Sequence, residues 1–290
     1  FLRGVGAITL ANKSIVYARL LQMVFTIILL LLGFGIIGAS IGYLIYGLGF
    51  KLFGHRYFYK YEHIGEKLRF ATNLVTTSTA DIFRTIWYNA WRDGIVSISN
   101  YILTQATIII SSFYLSLAQT GMYSIAIQLT TAVAVVASTL YNTYQPAFQN
   151  AYITKDQPRL RELFSFSVTL FIVIYWVGIF GLWLVGLPLL NSIMQFVIYY
   201  RNCYTSYFSC TNRIIYVKSF ILSSAIGLVI SLAFMELFDL GILGLLGGII
   251  LSQLMYNSWY WPYKTHKEME MSWIESIVKG IDSVLGRIKK

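Results

Sequence analysis

Arg201 is a basic side chain in the middle of an apolar segment, and it is the first residue whose surroundings suggest ligand chemistry. Ten residues of helix, about 15 Å, separate it from Thr211, and this is about half the hydrocarbon core of a bilayer. A guanidinium at that depth must face protein or a water-filled cavity. Tyr204 and Thr205 follow at i+3 and i+4, on the same helix face. Because arginine forks onto phosphate oxygens, the pattern predicts a cationic patch for a phosphate or pyrophosphate headgroup. A structural, hydrogen-bonding arginine and a span that ends earlier than Thr211 are the alternatives.

Three uncharged amides extend this candidate set of substrate-binding residues. Asn100 and Gln105 fall in the third apolar segment, and Gln128 falls in the fourth. Side chains of this kind either line a cavity that accepts a sugar or join helices through interhelical hydrogen bonds. We therefore predict a cavity site formed by Arg201, Tyr204, Thr205, Asn100, Gln105 and Gln128, and helix pairing stays open as the other role of the amides.

Motifs for catalysis or metal binding are missing from the sequence. No acid falls inside a predicted span, and no HExxH motif occurs. The letters GxSxG at 38–42 fall within a predicted span and form no nucleophile elbow. The three histidines, His55, His63 and His266, are dispersed, and Cys203 and Cys210 lie in an apolar stretch without a nearby histidine. We predict no catalytic residue, no metal site and no resident cofactor, with an ion gradient left open as an energy source.

The composition decides which kind of fold must position these residues. Of the 290 residues 57% are hydrophobic and only 12% are charged, and the mean hydropathy is +0.65. A soluble globular chain carries about 25% charged residues, so soluble enzymes and disulfide scaffolds are excluded. The sequence predicts an all-α integral membrane protein of about eight transmembrane helices. These run over 14–33, 36–52, 94–114, 121–146, 165–185, 190–210, 214–235 and 241–262.

Turn-forming residues separate the predicted spans. The uncharged stretch from Leu20 to Phe50 is too long for one crossing, and Gly33-Phe34-Gly35 divides it. Pro146 is expected to end the fourth span, since proline disrupts a helix interior. The remaining joints are expected at Ala118-Gln119-Thr120-Gly121, Gly186-Leu187-Pro188, Thr211-Asn212 and Asp239-Leu240-Gly241.

The net charge of +10 could indicate a nucleic-acid partner, but the placement of the basic residues argues against one. Twenty of the 22 lysines and arginines lie in segments that alternate with uncharged or acidic turns, namely 1–13, 51–92, 147–164, 211–218 and 263–290. Basic loops face the cytoplasm in membrane proteins. The pattern predicts that both ends of the chain are cytoplasmic and that membrane lipids, not nucleic acids, are its surroundings.

Four regions follow from this topology. Residues 1–53 hold two spans, 54–93 form a cytoplasmic linker with an amphipathic helix from Thr79 to Arg92, and 94–263 hold six spans. Residues 264–290 form a basic amphipathic tail, either on the membrane surface or docked on a partner. Glycines at small-xxx-small spacing, Gly38 with Gly42 and Gly244 with Gly248, predict close helix packing.

Several motifs, in order along the chain, resemble those of polysaccharide-repeat flippases of the MOP exporter superfamily. They are the run LAQTGMYSIAIQL from 117 to 129, YQP ending at 146, TKDQPRL from 154 to 160 and TNRIIYVK from 211 to 218. LGILGLLGG from 240 to 248 and WYWPYK from 259 to 264 follow, and LGFGIIGASIG from 32 to 42 is similar to a helix turn of such proteins.

The resemblance implies a MATE/MOP-type fold of two six-helix lobes around a central cavity. On this template the chain holds the last two helices of an N-terminal lobe and a complete C-terminal lobe. The start at Phe1, not Met, fits a fragment that lacks its N-terminal part. The implied function is flipping of an undecaprenyl-diphosphate-linked oligosaccharide across the bacterial cytoplasmic membrane by alternating access, with a glycan polymerase as a candidate partner.

Two alternatives stay open at this point. A MATE-type multidrug cation exporter should carry buried acids, and no acid falls inside the predicted spans. A membrane enzyme of glycan assembly, such as a polymerase or a glycosyltransferase, should carry catalytic acids or a large external loop. Glu236 and Asp239 are the acids available for it in the predicted external turns.

Overall fold

The computed structural model describes residues 7–61, 78–184, 186 and 189–288, and these residues form helices and no strand. Residues 62–77, most of the first half of the predicted linker 54–93, lie outside the described residues, as do Leu187 and Pro188 of one predicted turn. The α-helices are α1 (Ile8–Leu31), α2 (Gly35–Lys60), α3 (Thr79–Tyr101), α4 (Thr107–Tyr114), α5 (Leu117–Ile153), α6 (Gln157–Trp183), α7 (Leu189–Cys210), α8 (Val217–Glu236), α9 (Gly241–Met255), α10 (Asn257–Glu268) and α11 (Trp273–Ile288).

Seven helical segments of the described chain are long and apolar enough to cross a membrane. They are Leu10–Leu31, Gly35–Lys60, Ala80–Tyr114, Leu117–Ile153, Gln157–Trp183, Val217–Glu236 and Gly241–Glu268. The prediction of an all-α, multi-pass membrane protein agrees with these segments. The predicted span 190–210 forms helix α7, but it is not among the seven, because polar side chains such as Asn191, Gln195 and Arg201 interrupt its apolar sequence. Those three side chains are buried within the protein.

The chain divides into two compact units, Phe1–Ile82 and Phe83–Lys290. The first contains the hairpin of α1 and α2, whose turn has Gly33 and Gly35 at positive φ, as the glycine break predicts. Gly38 and Gly42 bring the two helices together. A Cβ on Gly38 would lie 2.9 Å from Leu29 Cβ, and one on Gly42 would collide with Thr26 Oγ1. The prediction of close packing at these glycines is confirmed.

In the second unit, α5 begins and ends elsewhere than the sequence predicts. Ser116 caps its N-terminus, because its hydroxyl oxygen accepts a hydrogen bond from the backbone N–H of Gln119. The side-chain oxygen of Gln119 accepts one from the backbone N–H of Ser116 in return. The predicted turn at residues 118–121 is therefore the first turn of the helix. Pro146 does not end α5, since the helix continues to Ile153.

The predicted amphipathic helix and the span after it also form one helical run. A π-helical segment, Ile102–Ala106, joins α3 to α4, so helix extends from Thr79 to Tyr114. Farther along, α8 and α9 pack through glycines as predicted, because a Cβ on Gly248 would collide with the backbone of Ser231. These contacts hold in place the helices that carry the polar residues of this unit.

Helix α11, in the predicted tail, docks on α6 through small residues. Ser276 Oγ lies 3.2 Å from Ser165 Oγ, and Gly280 sits directly against Thr169. Apolar residues of α11 lie on its exposed side, since the side chain of Ile274 is 76% exposed and that of Ile277 is 54% exposed. The helix thus keeps an unpaired apolar face beside the bundle, as expected for a helix at a membrane surface.

Candidate functional site

The second unit contains a polar cavity of about 320 Å³ between α3, α5, α7 and the start of α8. A volume of this size is at the lower end of those of small-molecule sites. Four amide side chains contribute to its wall, and they come from three helices: Asn100, Asn142, Gln145 and Asn202. Three tyrosines also line the cavity: Tyr141, Tyr199 and Tyr216.

Helical periodicity explains why each helix contributes a polar stripe. On α3 the wall residues Asp93, Val96 and Asn100 lie at i, i+3 and i+7, so they share one face. On α5 the wall residues are 138, 141, 142 and 145, and on α7 they include 199, 202, 203 and 206. Both sets follow the pattern i, i+3, i+4 and i+7. The other faces of α3 and α5 carry exposed apolar residues such as Ile98 and Val136.

Asp93 is the one charged residue in the described wall of the cavity. Burial raises the pKa of the Tyr216 phenol, and the negative charge of the Asp93 carboxylate raises it further. Within the described residues, the buried Oδ1 of Asn202 accepts no hydrogen bond. The described wall therefore carries one negative charge, and the unbonded Asn202 oxygen is buried from solvent.

Arg201 lies behind this wall and does not belong to it. The residue is fully buried. Its Nη1 donates to Gln253 Oε1, and its Nη2 donates to Asn100 Oδ1 at 2.8 Å. The guanidinium carbon lies 3.9 Å from the centre of the Phe220 ring. In the part of the chain that the structure describes, no acid forms an ion pair with Arg201, so neutral oxygens and an aromatic face hold the cation.

The partners of Arg201 belong to a buried chain of polar side chains. Gln253 Nε2 donates to Ser223 Oγ at 3.3 Å, and Asn257 Nδ2 donates to the same oxygen at 2.6 Å. Trp261 Nε1 in turn donates to Asn257 Oδ1 at 3.0 Å. These bonds connect α3, α7, α8, α9 and α10, and they fix Asn100 where it borders the cavity.

The structure brings together only part of the predicted set of site residues. Asn100 and Thr205 line the cavity, and Arg201 binds Asn100 from behind. Tyr204 instead packs 5.5 Å, centre to centre, from both Phe164 and His266. Gln105, in the π-helical segment, and Gln128, on α5, are exposed and are not among the wall residues.

Sequence reasoning missed several residues that the structure makes important. Gln253 and Asn257 are amides within the last apolar segment, four residues apart, and the rule that selected Asn100 could have selected them. Asp93 was placed at the end of the predicted linker 54–93 and outside every span, although it belongs to a continuous helix and borders the cavity. Asn202 follows Arg201 directly in the sequence. Because adjacent residues on a helix point about 100° apart, Asn202 borders the cavity although Arg201 does not.

The described residues contain no group of three or more histidines, cysteines or acids that could hold a metal ion. No protein-family model matches this chain, and neither a curated protein nor a solved structure matches it significantly. The resemblance to polysaccharide flippases therefore rests on the sequence motifs, and it stays a prediction.

Proposed function

We propose that this chain is part of a transporter that flips an undecaprenyl-diphosphate-linked oligosaccharide across the bacterial cytoplasmic membrane. In this proposal the second unit is one lobe of a MATE/MOP-type exporter, and its cavity holds the saccharide. The observation that carries the proposal is the polar cavity itself, because it occurs among helices that are long and apolar enough to cross a membrane and that expose many large apolar side chains. Polar groups at membrane depth commonly mark a substrate pathway.

The chemistry of the wall suits a sugar. Each amide offers both a donor and an acceptor, which matches hydroxyl groups that do the same. Tyrosine rings provide apolar faces with a polar edge, and such rings pack against the C–H faces of a sugar while their hydroxyls remain available. Four amides and three tyrosines in one small cavity provide this combination.

The place of the cavity along the helices fits uptake from the inner leaflet. Tyr216 belongs to the segment 211–218, and Gln145 comes just before the segment 147–164. Both segments are basic and are predicted to be cytoplasmic. A lipid-linked sugar made on that side would meet the cavity first, and rocking of two lobes would then expose it to the other side.

In this proposal Arg201 is a positioning residue and not the headgroup ligand. Both of its terminal nitrogens donate to protein oxygens, one of them on Asn100. The guanidinium therefore stabilises the orientation of an amide that borders the cavity. Its remaining Nε has no partner among the described residues.

A cation exporter is a second candidate, and one observation favours it. Asp93 gives the cavity the carboxylate that such a transporter needs to bind a cationic drug. The tyrosines could then stack on that cation. The two candidates differ in their substrates, and the same variants test both.

The test uses cells that depend on this protein, with its gene deleted and then replaced by variants. The double change Asn142→Leu with Asn202→Leu removes two wall amides that are outside the Arg201 network. We expect the lipid-linked oligosaccharide to accumulate in the inner leaflet and export to fall by about tenfold or more. Gln128→Leu, an exposed amide outside the cavity, is the matched control and should export normally.

Normal export in the double variant, at normal protein level, would contradict the proposal. Unchanged polysaccharide in the deletion strain, together with new sensitivity to cationic dyes that Asp93→Asn fails to complement, would favour the cation exporter instead.

A further inference from the structure

The distribution of charge around the cavity restricts which sugars it can accept. Arg201, the cation that donates to the wall residue Asn100, has its two terminal nitrogens committed to Gln253 and Asn100 and is absent from the described wall. The charge that does belong to that wall is the carboxylate of Asp93. Among its described residues, the wall thus contains no basic side chain to pair with an acidic substituent.

We propose that the cavity selects neutral or amine-bearing sugars and rejects acidic ones such as uronates. This inference rests on the proposed function, and it specifies the substrate class of the same site. It also reverses the expectation from the sequence, where Arg201 was taken as a partner for anionic groups.

One feature of the wall carries the selectivity. Asp93 is acceptor-only when ionised, and it attracts an ammonium group but repels a carboxylate. The wall amides, Asn202 among them, can pair with a hydroxyl as donor or as acceptor, so they do not discriminate in this way. A uronate would therefore meet a like charge at Asp93, where a neutral or amino sugar places a donor.

The magnitude follows from like-charge repulsion at a carboxylate that is itself exposed to water. Because water screens such a pair, we expect about a tenfold loss of affinity for the acidic sugar. Neutral sugars avoid the repulsion, and amino sugars gain an attraction to Asp93.

The experiment measures equilibrium binding of three probes to the purified protein in detergent micelles. The probes are citronellyl diphosphates that carry N-acetylglucosamine, glucosamine or glucuronic acid, and bare citronellyl diphosphate is the reference. We expect glucosamine to bind at least as tightly as N-acetylglucosamine, and glucuronic acid to bind about tenfold more weakly than either.

Three variants test whether the preference between the sugars arises in the cavity. Asp93→Asn should reduce the preference for glucosamine over glucuronic acid to about threefold or less, since it removes the repelling charge. Asn202→Leu should weaken the binding of both sugars without restoring the acidic one. Glu236→Gln, which removes the same charge from an exposed residue at the other end of α8, should leave the ranking unchanged.

The outcomes separate this inference from the function on which it rests. If no sugar-bearing probe binds more tightly than bare citronellyl diphosphate, sugar recognition and the proposed function both fail. If sugars are recognised but glucuronic acid binds as tightly as N-acetylglucosamine, the proposed function survives and the selectivity is wrong. A preference that persists in Asp93→Asn would also overturn the role of that carboxylate.

Discussion

Both compact units pack helices through glycines, but of their described residues only those of the second also form a buried polar network between helices. In the first, α1 and α2 meet through glycines, and Gly38, Gly42 and Gly49 let the backbones approach with little polar contact. In the second, buried amides, serines and Arg201 connect five helices by hydrogen bonds. Small residues give close packing in a membrane, whereas polar side chains also leave groups that can bind a ligand. The difference explains why the candidate site lies in the second unit.

The largest effect should come from removing Arg201. The change Arg201→Ala leaves Asn100 and Gln253 without their donor and opens a hole beside Phe220, so we expect a loss of about 3 kcal/mol or more in stability. Thermal unfolding of the purified protein measures it. Arg19→Ala in the first unit is the matched control, because Arg19 is exposed and, within the described residues, donates to Gln22 and stacks on Tyr46. Equal losses in both variants would contradict the contrast between the units.

A change at Gly42 tests the glycine interface of the first unit. Any side chain there collides with Thr26, so Gly42→Val should separate α1 from α2 and cost about 1–3 kcal/mol. Gly47→Val is the control on the same helix, since a Cβ at Gly47 meets nothing within 4 Å. Crosslinking of cysteine pairs between α1 and α2 reports the separation, and unchanged crosslinking in Gly42→Val would refute the proposed packing.

A smaller effect is expected at the start of α5. Ser116→Ala removes the side-chain acceptor for the backbone N–H of Gln119. Loss of such a cap lowers the free energy of unfolding by about 1 kcal/mol. In the first unit, Phe34 precedes α2 and provides no side-chain cap, so Phe34→Ala should remove no comparable bond. Hydrogen exchange of the first turn of each helix measures the difference. Equal protection of that turn of α5 before and after Ser116→Ala would count against the capping bond.

The features that the sequence predicted well depend on local chemistry. The break at Gly33-Phe34-Gly35 and the turn at Asp239-Leu240-Gly241 both appear, because their backbones adopt positive φ, which glycine tolerates at no steric cost. Asn212, also at positive φ, ends α7 as expected. Such turns need only residues that are adjacent in the chain.

The features that it missed depend on contacts between distant segments. Whether Arg201 faces a cavity or a protein oxygen is decided by Asn100 and Gln253, which are 101 and 52 residues away. Pro146 was expected to end α5, yet it lies within the helix, which continues for two further turns. The sequence of one helix shows which of its residues are polar. It does not show which of them border a cavity, because that depends on the neighbouring helices.

The most direct test of the central claim is protection of the cavity from a thiol reagent. In a background with Cys203→Ser and Cys210→Ser, the variant Asn142→Cys places one thiol in the wall, and Gln128→Cys places one outside it. We predict that citronellyl-diphosphate-linked N-acetylglucosamine slows labelling of the thiol at 142 but not at 128, and that bare citronellyl diphosphate slows neither. Labelling at 142 that is equally fast with and without the sugar-bearing probe would contradict the claim that this cavity binds the saccharide.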